Sequence, residues 1–240
     1  MDKKEFFQKI SELSSKLEID LHEIQKEQFY EYMNLLIEWN EKINLTAIIE
    51  PNEIILKHFI DSITISKYIE ENSYVLDMGT GAGFPGIPLK IVRPDIKIVL
   101  ADSLNKRINF LNEVIGKLEL NNVETIHSRA EELGKDKKYR ERFDVVTSRA
   151  VANLSTLSEY LLPFVKISGK CLSMKGPKPE EEIKESKNAI KILGGTIEKI
   201  DEFKLPNSDI DRTIIEIKKI KETPAKYPRK AGLPSKEPIN

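Results

Sequence analysis

The sequence of 240 residues predicts an α/β fold with a doubly wound, mostly parallel seven-stranded sheet and an N-terminal helical extension. Three observations lead to this prediction. Apolar residues recur at helical spacing through the first 70 positions, short β-rich runs alternate with helix-length segments from Ser73 onward, and the first of those runs ends in the glycine-rich turn VLDMGTGAGFPG. Together they favour βαβ units with right-handed crossovers.

The helical extension comprises three segments with one apolar face each. Apolar side chains separated by three or four positions mark these faces in the following sets: Phe6, Ile10, Leu13 and Leu17; Phe29, Tyr32, Met33, Leu36 and Trp39; Ile55, Phe59 and Ile63. Pro51 and Asn52 mark the start of the third helix.

The strands and helices of the main domain follow in alternation. The predicted strands are residues 74–78, 96–101, 123–128, 143–148, 169–175, 196–200 and 212–218. The predicted helices are residues 85–92, 106–118, 131–133, 154–165 and 180–193. No helix-length segment separates the last two strands, so we expect an antiparallel hairpin at one edge of the sheet.

We expect three regions along the chain: a helical extension (1–70), a ligand-binding domain (71–220) and a basic tail (221–240). The tail contains four prolines and should be irregular. Lys and Arg outnumber acids by 7 to 2 in residues 218–240, whereas acids outnumber Lys by 11 to 6 in residues 1–50. This asymmetry favours a polyanionic partner more than the net charge of −1 does.

The composition narrows the class of protein. The single cysteine, Cys171, excludes an internal disulfide and a cysteine zinc cluster, and we expect it to be a small core residue. We find no signal peptide and no apolar run near the roughly 20 residues of a membrane span. We therefore expect a cytoplasmic protein, active as a monomer, with neither a metal nor a membrane partner.

The turn after the first strand is the strongest functional signal. Its residues Gly79, Gly81 and Gly83 permit positive φ and close approach of a ligand, and the segment from Gly81 to Gly86 also fits the dinucleotide pattern G-x-G-x-x-G. Asp77 precedes the turn. At about 4 Å and an effective dielectric constant near 20, unit charges interact by about 4 kcal/mol, which disfavours a pyrophosphate and favours a cationic ligand such as S-adenosylmethionine.

Two further acids fall where a nucleoside would lie. Asp102 ends the second strand and suits the ribose hydroxyls of either NAD or S-adenosylmethionine, with Ser103 and Leu104 following it. After the third strand, Ala130 and Glu131 are positioned to meet an adenine edge. An NAD(P)-dependent oxidoreductase therefore remains the alternative from a different chemistry, and a small-molecule methyltransferase is a second one.

The segment after the fourth strand, TSRAVANL, lacks two motifs of other methyl-transfer chemistries. It has no Asn/Asp-Pro-Pro-Tyr segment, which would grip an exocyclic amine, and no Pro-Cys nucleophile, which would add to a base carbon. Both chemistries are therefore disfavoured.

With these residues identified, the chain resembles the bacterial 16S ribosomal RNA guanine-N7 methyltransferase family, also called glucose-inhibited division protein B or ribosomal small subunit methyltransferase G. The resemblance extends over residues 24–238. It rests on WNEKINLTAI, HFIDS, LDMGTGAGFPGIPLKI, DSLNKR, SRAEEL, TSRAVANL, MKG and YPRKAGLPSKEP, in that order.

The resemblance implies the S-adenosylmethionine-dependent (Rossmann-like) type of sheet and a cofactor site. It implies that the cofactor is bound by Gly79, Phe84, Asp102, Ser103, Leu104, Ala130, Glu131 and Arg149, to which the turn itself adds Asp77, Gly81 and Gly83. Arg149 is the side chain we expect to be catalytic. The implied substrate is a guanine of 16S ribosomal RNA, on naked RNA or in the small ribosomal subunit.

Basic residues outside the turn are candidates for RNA contacts. We expect Lys175 at the rim, and Lys226, Arg229, Lys230 and Lys236 in the tail, to bind phosphates. Four residues of the family motifs have no assigned role: Asn44, Thr46, His58 and Asp61. A non-catalytic RNA-binding module is the remaining alternative, which the glycine turn, Asp102 and Arg149 disfavour.

Overall fold

The computed structural model describes residues 1–149 and 152–239. Two positions of the TSRAVANL motif, Ala150 and Val151, and the last residue, Asn240, lie outside this range. The strands are β1 (Tyr74–Met78), β2 (Lys97–Asp102), β3 (Val123–His127), β4 (Phe143–Arg149), β5 (Val165–Lys175), β6 (Gly195–Lys204) and β7 (Asp211–Lys219). The helices are α1 (Lys3–Ser15), α2 (Glu23–Ile43), α3 (Pro51–Ile54), a π-helical segment (Ile55–Ile60), α4 (Asp61–Ile63), α5 (Gly86–Val92), α6 (Asn105–Lys117), α7 (Ala130–Leu133), α8 (Leu154–Leu161), α9 (Glu180–Ile192) and α10 (Leu233–Lys236).

The strands form one seven-stranded sheet of order β3-β2-β1-β4-β5-β7-β6. Strands β1 to β5 pair in parallel, while β7 is antiparallel to both β5 and β6. The predicted doubly wound sheet and its antiparallel edge are therefore confirmed. The strand order reverses direction at β1 and β4, and in such sheets ligands bind beyond the carboxyl ends of the strands at that point.

Three predicted boundaries were wrong by four residues. The helix predicted for residues 154–165 ends at Leu161 and continues as a 3₁₀ turn over Leu162–Phe164, because Pro163 lacks the N–H that another helical turn would need. Strand β6 extends four residues beyond the predicted end because its pairing with β7 continues to Lys204 opposite Asp211. Strand β5 begins at Val165, four residues before the predicted start, because Val165 pairs with Phe143 of β4. Strand pairing of this kind is not visible in a local sequence pattern.

The N-terminal helices bury their apolar faces on one side of the sheet. Their side chains belong to the same core cluster as apolar residues of β1, β2, α5 and α6. Phe6, Tyr32 and Phe59 are fully buried there, and the Tyr32 and Phe59 rings stack 5.3 Å apart. A second cluster on the other face of the sheet joins α8 and α9 to β4, β5 and β7.

Cys171 lies within β5 and is buried, as predicted for a core residue. Burial raises the pKa of its thiol to about 12, so the thiolate that a nucleophile requires is not available at neutral pH. Among the helices of the described residues, none has the length and apolar character to cross a membrane. The same part of the chain contains no group of three or more His, Cys, Asp or Glu side chains arranged to hold a metal ion.

Candidate active site

The turn after β1 is held by Asp77, whose side chain is fully buried. Its Oδ2 accepts hydrogen bonds from the Thr80 hydroxyl (2.6 Å) and from the Gly86 backbone N–H (2.9 Å), while its Oδ1 is buried without a partner. Burial raises the pKa of this carboxyl to about 6. Asp77 therefore stabilises the turn through these hydrogen bonds, and it does not itself line the adjacent crevice.

The glycines of the turn are required by the backbone and by space. Gly79, Gly81 and Gly83 have φ of +71°, +62° and +97°, which side chains rarely adopt. A Cβ on Gly86 would lie 2.3 Å from Leu100 Cδ2 and 2.8 Å from Asp77 Oδ2. The turn consequently tolerates no side chain at its entry to α5.

An open crevice with a cavity volume of about 240 Å³ lies beside this turn. It is lined by Met78, Gly79, Asp102, Ser103, Ser128, Arg129, Ala130, Glu131, Ser148, Leu157, Tyr160, Gly232 and Ser235. This volume lies slightly below the range typical of small-molecule sites, about 300–1,000 Å³. The lining comes from the carboxyl ends of β1, β2 and β4, from the segment around α7, from α8 and from the tail.

The carboxylate of Asp102 is fixed within this crevice. It is 2% exposed; Oδ2 accepts from the Gly81 N–H (2.9 Å), Oδ1 accepts from the Leu104 N–H (2.9 Å), and Arg107 lies 3.2 Å away. A carboxylate held by backbone N–H groups keeps one orientation and retains lone pairs for further donors. Two hydroxyls of a ribose fit those lone pairs.

The charged side chains that line the crevice fit S-adenosylmethionine. Two largely buried carboxylates, Asp102 and Glu131, line it, while the single basic residue in the lining, Arg129, is exposed. The orphaned Oδ1 of Asp77 adds negative potential beneath the turn. Such a field favours a cationic sulfonium and ammonium, and it disfavours the pyrophosphate of a dinucleotide.

The predicted cofactor residues divide into two groups in the structure. Gly79, Asp102, Ser103, Ala130 and Glu131 line the crevice together. The other six do not belong to the lining within the described residues: Asp77, Gly81, Gly83, Phe84, Leu104 and Arg149. Asp77, Gly81 and Leu104 act on the shape of the site through the hydrogen bonds described above.

Arg149 projects into a second pocket. Its guanidinium donates to the Lys57 carbonyl (2.9 Å) and lies 3.3 Å from Asp61 Oδ2, and its Cζ lies 4.9 Å from the centroid of the Phe84 ring. Asp61 is 3% exposed and also accepts from Arg212 Nε at 3.0 Å. One buried carboxylate therefore orients two arginines.

His58 completes this cluster as a neutral imidazole. Burial and the nearby charge of Arg149 lower its pKa to about 3. Its Nδ1 lies 3.1 Å from Arg149 Nη2 and accepts from it, so Nε2 carries the proton and donates to the Thr46 hydroxyl at 2.9 Å. The ring stacks on Phe84 at 4.3 Å. Of the motif residues without an assigned role, Asp61 and His58 thus contact Arg149 directly. Thr46 acts indirectly, because its hydroxyl positions the His58 ring.

The second pocket is rich in basic side chains. It is lined by Ile48, Lys57, His58, Asp61, Arg149, Met174, Lys175, Gly176 and Arg212. Four basic residues and one carboxylate are among them. Ser148 lines the crevice and the next residue, Arg149, lines the second pocket, so both sites reach the carboxyl end of β4.

The residues predicted to bind RNA differ in their availability. Lys226, Lys230 and Lys236 are exposed. Lys175 donates to the Ala152 carbonyl (2.5 Å) and to Glu182 (2.6 Å), and Arg229 forms a salt bridge of 2.6 Å with the buried Glu159. Lys175 and Arg229 therefore already have partners within the protein, whereas the other three side chains are exposed.

The sequence analysis did not predict several residues of the site. Tyr32 of α2 donates to the Ala82 carbonyl and packs against the turn, where a Cβ on Gly83 would lie 2.7 Å from its hydroxyl oxygen. The lining also includes residues that were not predicted: Met78, Ser128, Arg129, Ser148, Leu157, Tyr160, Gly232 and Ser235. All of these except Leu157 and Tyr160 lie within the family motifs, which offered a signal for them, whereas Tyr32 reads only as a core residue.

Two solved structures share this fold. M. jannaschii TYW2, solved in complex with AdoMet, has a TM-score of 0.54 and 19% identity, covering 67% of this chain and 75% of that one. A SAM-dependent methyltransferase from Aquifex aeolicus has a TM-score of 0.51 and 22% identity, covering 70% of this chain and 93% of that one. Both likenesses show the fold of this chain, and the fold is that of two methyltransferase-type structures, one of them solved with AdoMet.

The family follows from the comparison of sequences. Residues 25–214 match the model of GidB, rRNA small subunit methyltransferase G. A ribosomal RNA small subunit methyltransferase G of Desulforamulus reducens is 56% identical over 96% of this chain and 97% of its own, and one of Clostridium novyi is 50% identical over 98% and 97%. The chain belongs to the rRNA small subunit methyltransferase G family.

Proposed function

We propose that this protein transfers the methyl group of S-adenosylmethionine to N7 of a guanine in 16S ribosomal RNA. The observation that carries the proposal is the junction at the end of β4, where Ser148 faces an acidic cofactor crevice and Arg149 faces a basic pocket. A donor and an acceptor bound in these two sites would be neighbours. Membership of the family supports ribosomal RNA as the acceptor.

The arrangement suits an acceptor that needs no deprotonation. Guanine N7 carries an in-plane lone pair, and S-adenosylmethionine, when bound, supplies an electrophilic methyl group on its sulfonium. His58 has both ring nitrogens engaged and Asp61 is shared by Arg149 and Arg212, so neither is free to act as a general base. The residues of the site therefore contribute by orientation, which aligns N7 for in-line transfer.

Arg149 is the residue we propose to contact the acceptor. A guanidinium fixed by Asp61, His58 and the Lys57 carbonyl loses little conformational freedom on binding. Its remaining donors suit the acceptor atoms on the N7 edge of guanine, which lies in the major groove of a helix and is accessible in a loop or a flipped base.

The basic pocket and the exposed lysines of the tail support a polyanionic substrate. We propose that RNA enters over the second pocket, that residues 71–220 perform the transfer, and that residues 1–70 and 221–240 assist binding. We further propose a cytoplasmic, monomeric enzyme, in keeping with a ribosomal substrate. The acidic crevice argues against the dinucleotide alternative.

The test is to map 7-methylguanosine in 16S ribosomal RNA from cells with and without the gene. We expect one modified guanine to lose its methyl group in the deletion strain and to regain it on expression of the wild-type chain, but not of Arg149→Ala. Purified protein incubated with labelled S-adenosylmethionine and either naked 16S RNA or small subunits then identifies the substrate form. Unchanged methylation in the deletion strain would disprove the proposal.

A further inference from the structure

The C-terminal segment 223–239, here called the strap, crosses α7 and α8. Arg140 donates to the carbonyls of Thr223 (2.7 Å) and Tyr227 (2.8 Å) and so fixes the start of the strap. Further along, Pro234 and Ile239 are buried, and the Pro234 carbonyl accepts from the Thr156 hydroxyl of α8 at 3.1 Å. The strap is thus fixed to the protein near both ends.

The middle of the strap is anchored by a buried ion pair. Glu159 of α8 is 0% exposed, and its carboxylate accepts from the backbone N–H of Arg229 (2.7 Å) and from the Arg229 guanidinium at 2.6–3.0 Å. Removing one partner of such a pair is costly because it leaves a charge buried without compensation. This pairing explains why a basic residue of the tail faces inward.

Between these anchors the strap reaches the cofactor crevice. The Gly232 N–H donates to Glu131 Oε1 at 2.9 Å, and both Gly232 and Ser235 line the crevice. Gly232 has φ of +81°, a conformation that suits glycine and that turns its N–H towards Glu131. The strap therefore orients one of the two acids that give the crevice its negative field.

We infer that the strap is a structural wall of the cofactor site, and that Gly232 and Ser235 determine how tightly S-adenosylmethionine is held. This inference rests on the proposed function only for the identity of the ligand. It assigns a role in cofactor binding to a segment whose composition indicates RNA binding alone. Bound cofactor should contact the strap and hold it in place.

A bulky residue at the lining position of the strap tests the inference. Ser235→Trp places an indole at the crevice, whereas Ala231→Trp places the same side chain at an exposed strap position outside the lining. We expect calorimetry to give at least a tenfold weaker affinity for S-adenosylmethionine in the first variant and less than a twofold change in the second. Equal affinities for the two variants would overturn the inference.

Hydrogen exchange of the wild-type protein supplies a second readout that is independent of turnover. We expect saturating S-adenosylmethionine to slow exchange of backbone amides in residues 229–236 by at least tenfold, because the occupied crevice restrains the strap. No change in that segment, in a protein that binds the cofactor, would refute the role of the strap. If the wild-type protein does not bind S-adenosylmethionine at all, the proposed function fails instead.

Discussion

Arg149 shows how a single side chain gains its orientation from its surroundings. It is held by a buried carboxylate, a neutral imidazole and a backbone carbonyl, and it covers one face of Phe84. None of these partners is near it in sequence. Its charge is therefore fixed in place before any substrate binds, which lowers the entropic cost of recognition.

We predict that Arg149→Ala lowers kcat/KM for methyl transfer to ribosomal RNA by at least about 100-fold, since misplacement of reacting groups by about 1 Å has effects of that size. The fold should persist because Asp61 keeps Arg212 as a partner. Steady-state kinetics and circular dichroism measure the two effects. Arg142→Ala, at an exposed position just before the start of the same strand, is the matched control, and equal kinetics for both variants would remove Arg149 from the site.

A second prediction concerns the pH dependence of stability. The pKa of His58 is about 3 in the folded protein and about 6.5 when unfolded, so the unfolded chain binds more protons between these values. His58 therefore favours folding above about pH 6.5, and this advantage is lost as the pH falls towards 3. Each pKa unit corresponds to about 1.4 kcal/mol.

Replacing His58 by Gln removes this titration. We expect the difference in unfolding free energy between wild type and His58→Gln to shift by about 2 kcal/mol in favour of the variant between pH 7 and pH 5. Urea denaturation at the two pH values provides the measurement. The raised pKa of Asp77 affects both proteins alike and cancels in the comparison. A difference independent of pH would contradict a buried neutral imidazole.

Among the elements, the turn between β1 and α5 has the strictest steric requirements. Asp77 closes it from one side and Tyr32 of α2 from another, so the helical extension supports the cofactor site from outside the sheet. The N-terminal helices also supply His58 and Asp61. The extension thus contributes to the proposed active site as well as to the core.

Gly86→Ala should destabilise the protein by about 1–3 kcal/mol, the usual cost of overpacking, because its Cβ would lie 2.3 Å from Leu100 Cδ2. It should also weaken binding of S-adenosylmethionine by displacing the turn. Gly116→Ala, inside α6 with no atom within 4 Å of the added Cβ, should instead stabilise by about 0.5–1 kcal/mol. Thermal unfolding compares the variants, and equal shifts would rule out a steric role for Gly86.

At the level of the whole molecule, basic residues of the C-terminal segment fall into two groups. Arg229 faces inward and anchors the strap, while Lys226, Lys230 and Lys236 remain exposed on it. The exposed lysines are available for phosphates. A strap that lines the cofactor crevice and also meets RNA would place both ligands on one segment.

Replacing Lys226, Lys230 and Lys236 by Ala should reduce the log–log salt dependence of RNA binding by up to about 2, since each phosphate contact to a single strand contributes about 0.7. Affinity for S-adenosylmethionine should stay unchanged. The matched control replaces three exposed lysines of α9, at positions 184, 187 and 191, and so removes the same charge. Filter binding at several salt concentrations measures the slope of log affinity for RNA against log salt concentration. Equal slopes for the two triple variants would exclude a specific role of the strap lysines.

Local patterns were enough to predict the alternation of strands and helices, the glycine turn and the acid at the end of β2. Hydrophobic periodicity and turn chemistry act within a few residues, and β1 begins and ends where predicted, at Tyr74 and Met78. The family motifs then identified the class of ligand. Five of the predicted cofactor residues line one crevice because the carboxyl ends of parallel strands meet at one edge of a sheet.

Contacts between residues far apart in the sequence determined the features that local patterns could not predict. The orientation of Arg149 depends on residues 88 to 92 positions away, and the inward turn of Arg229 depends on a buried glutamate 70 positions away. The sequence shows which residues are charged, but it does not show which of the charged side chains are buried in contact with one another. Burial assigns their partners, and burial is a property of the packed chain, so only the tertiary structure separated the arginine that anchors the strap from the exposed lysines that we propose for RNA binding.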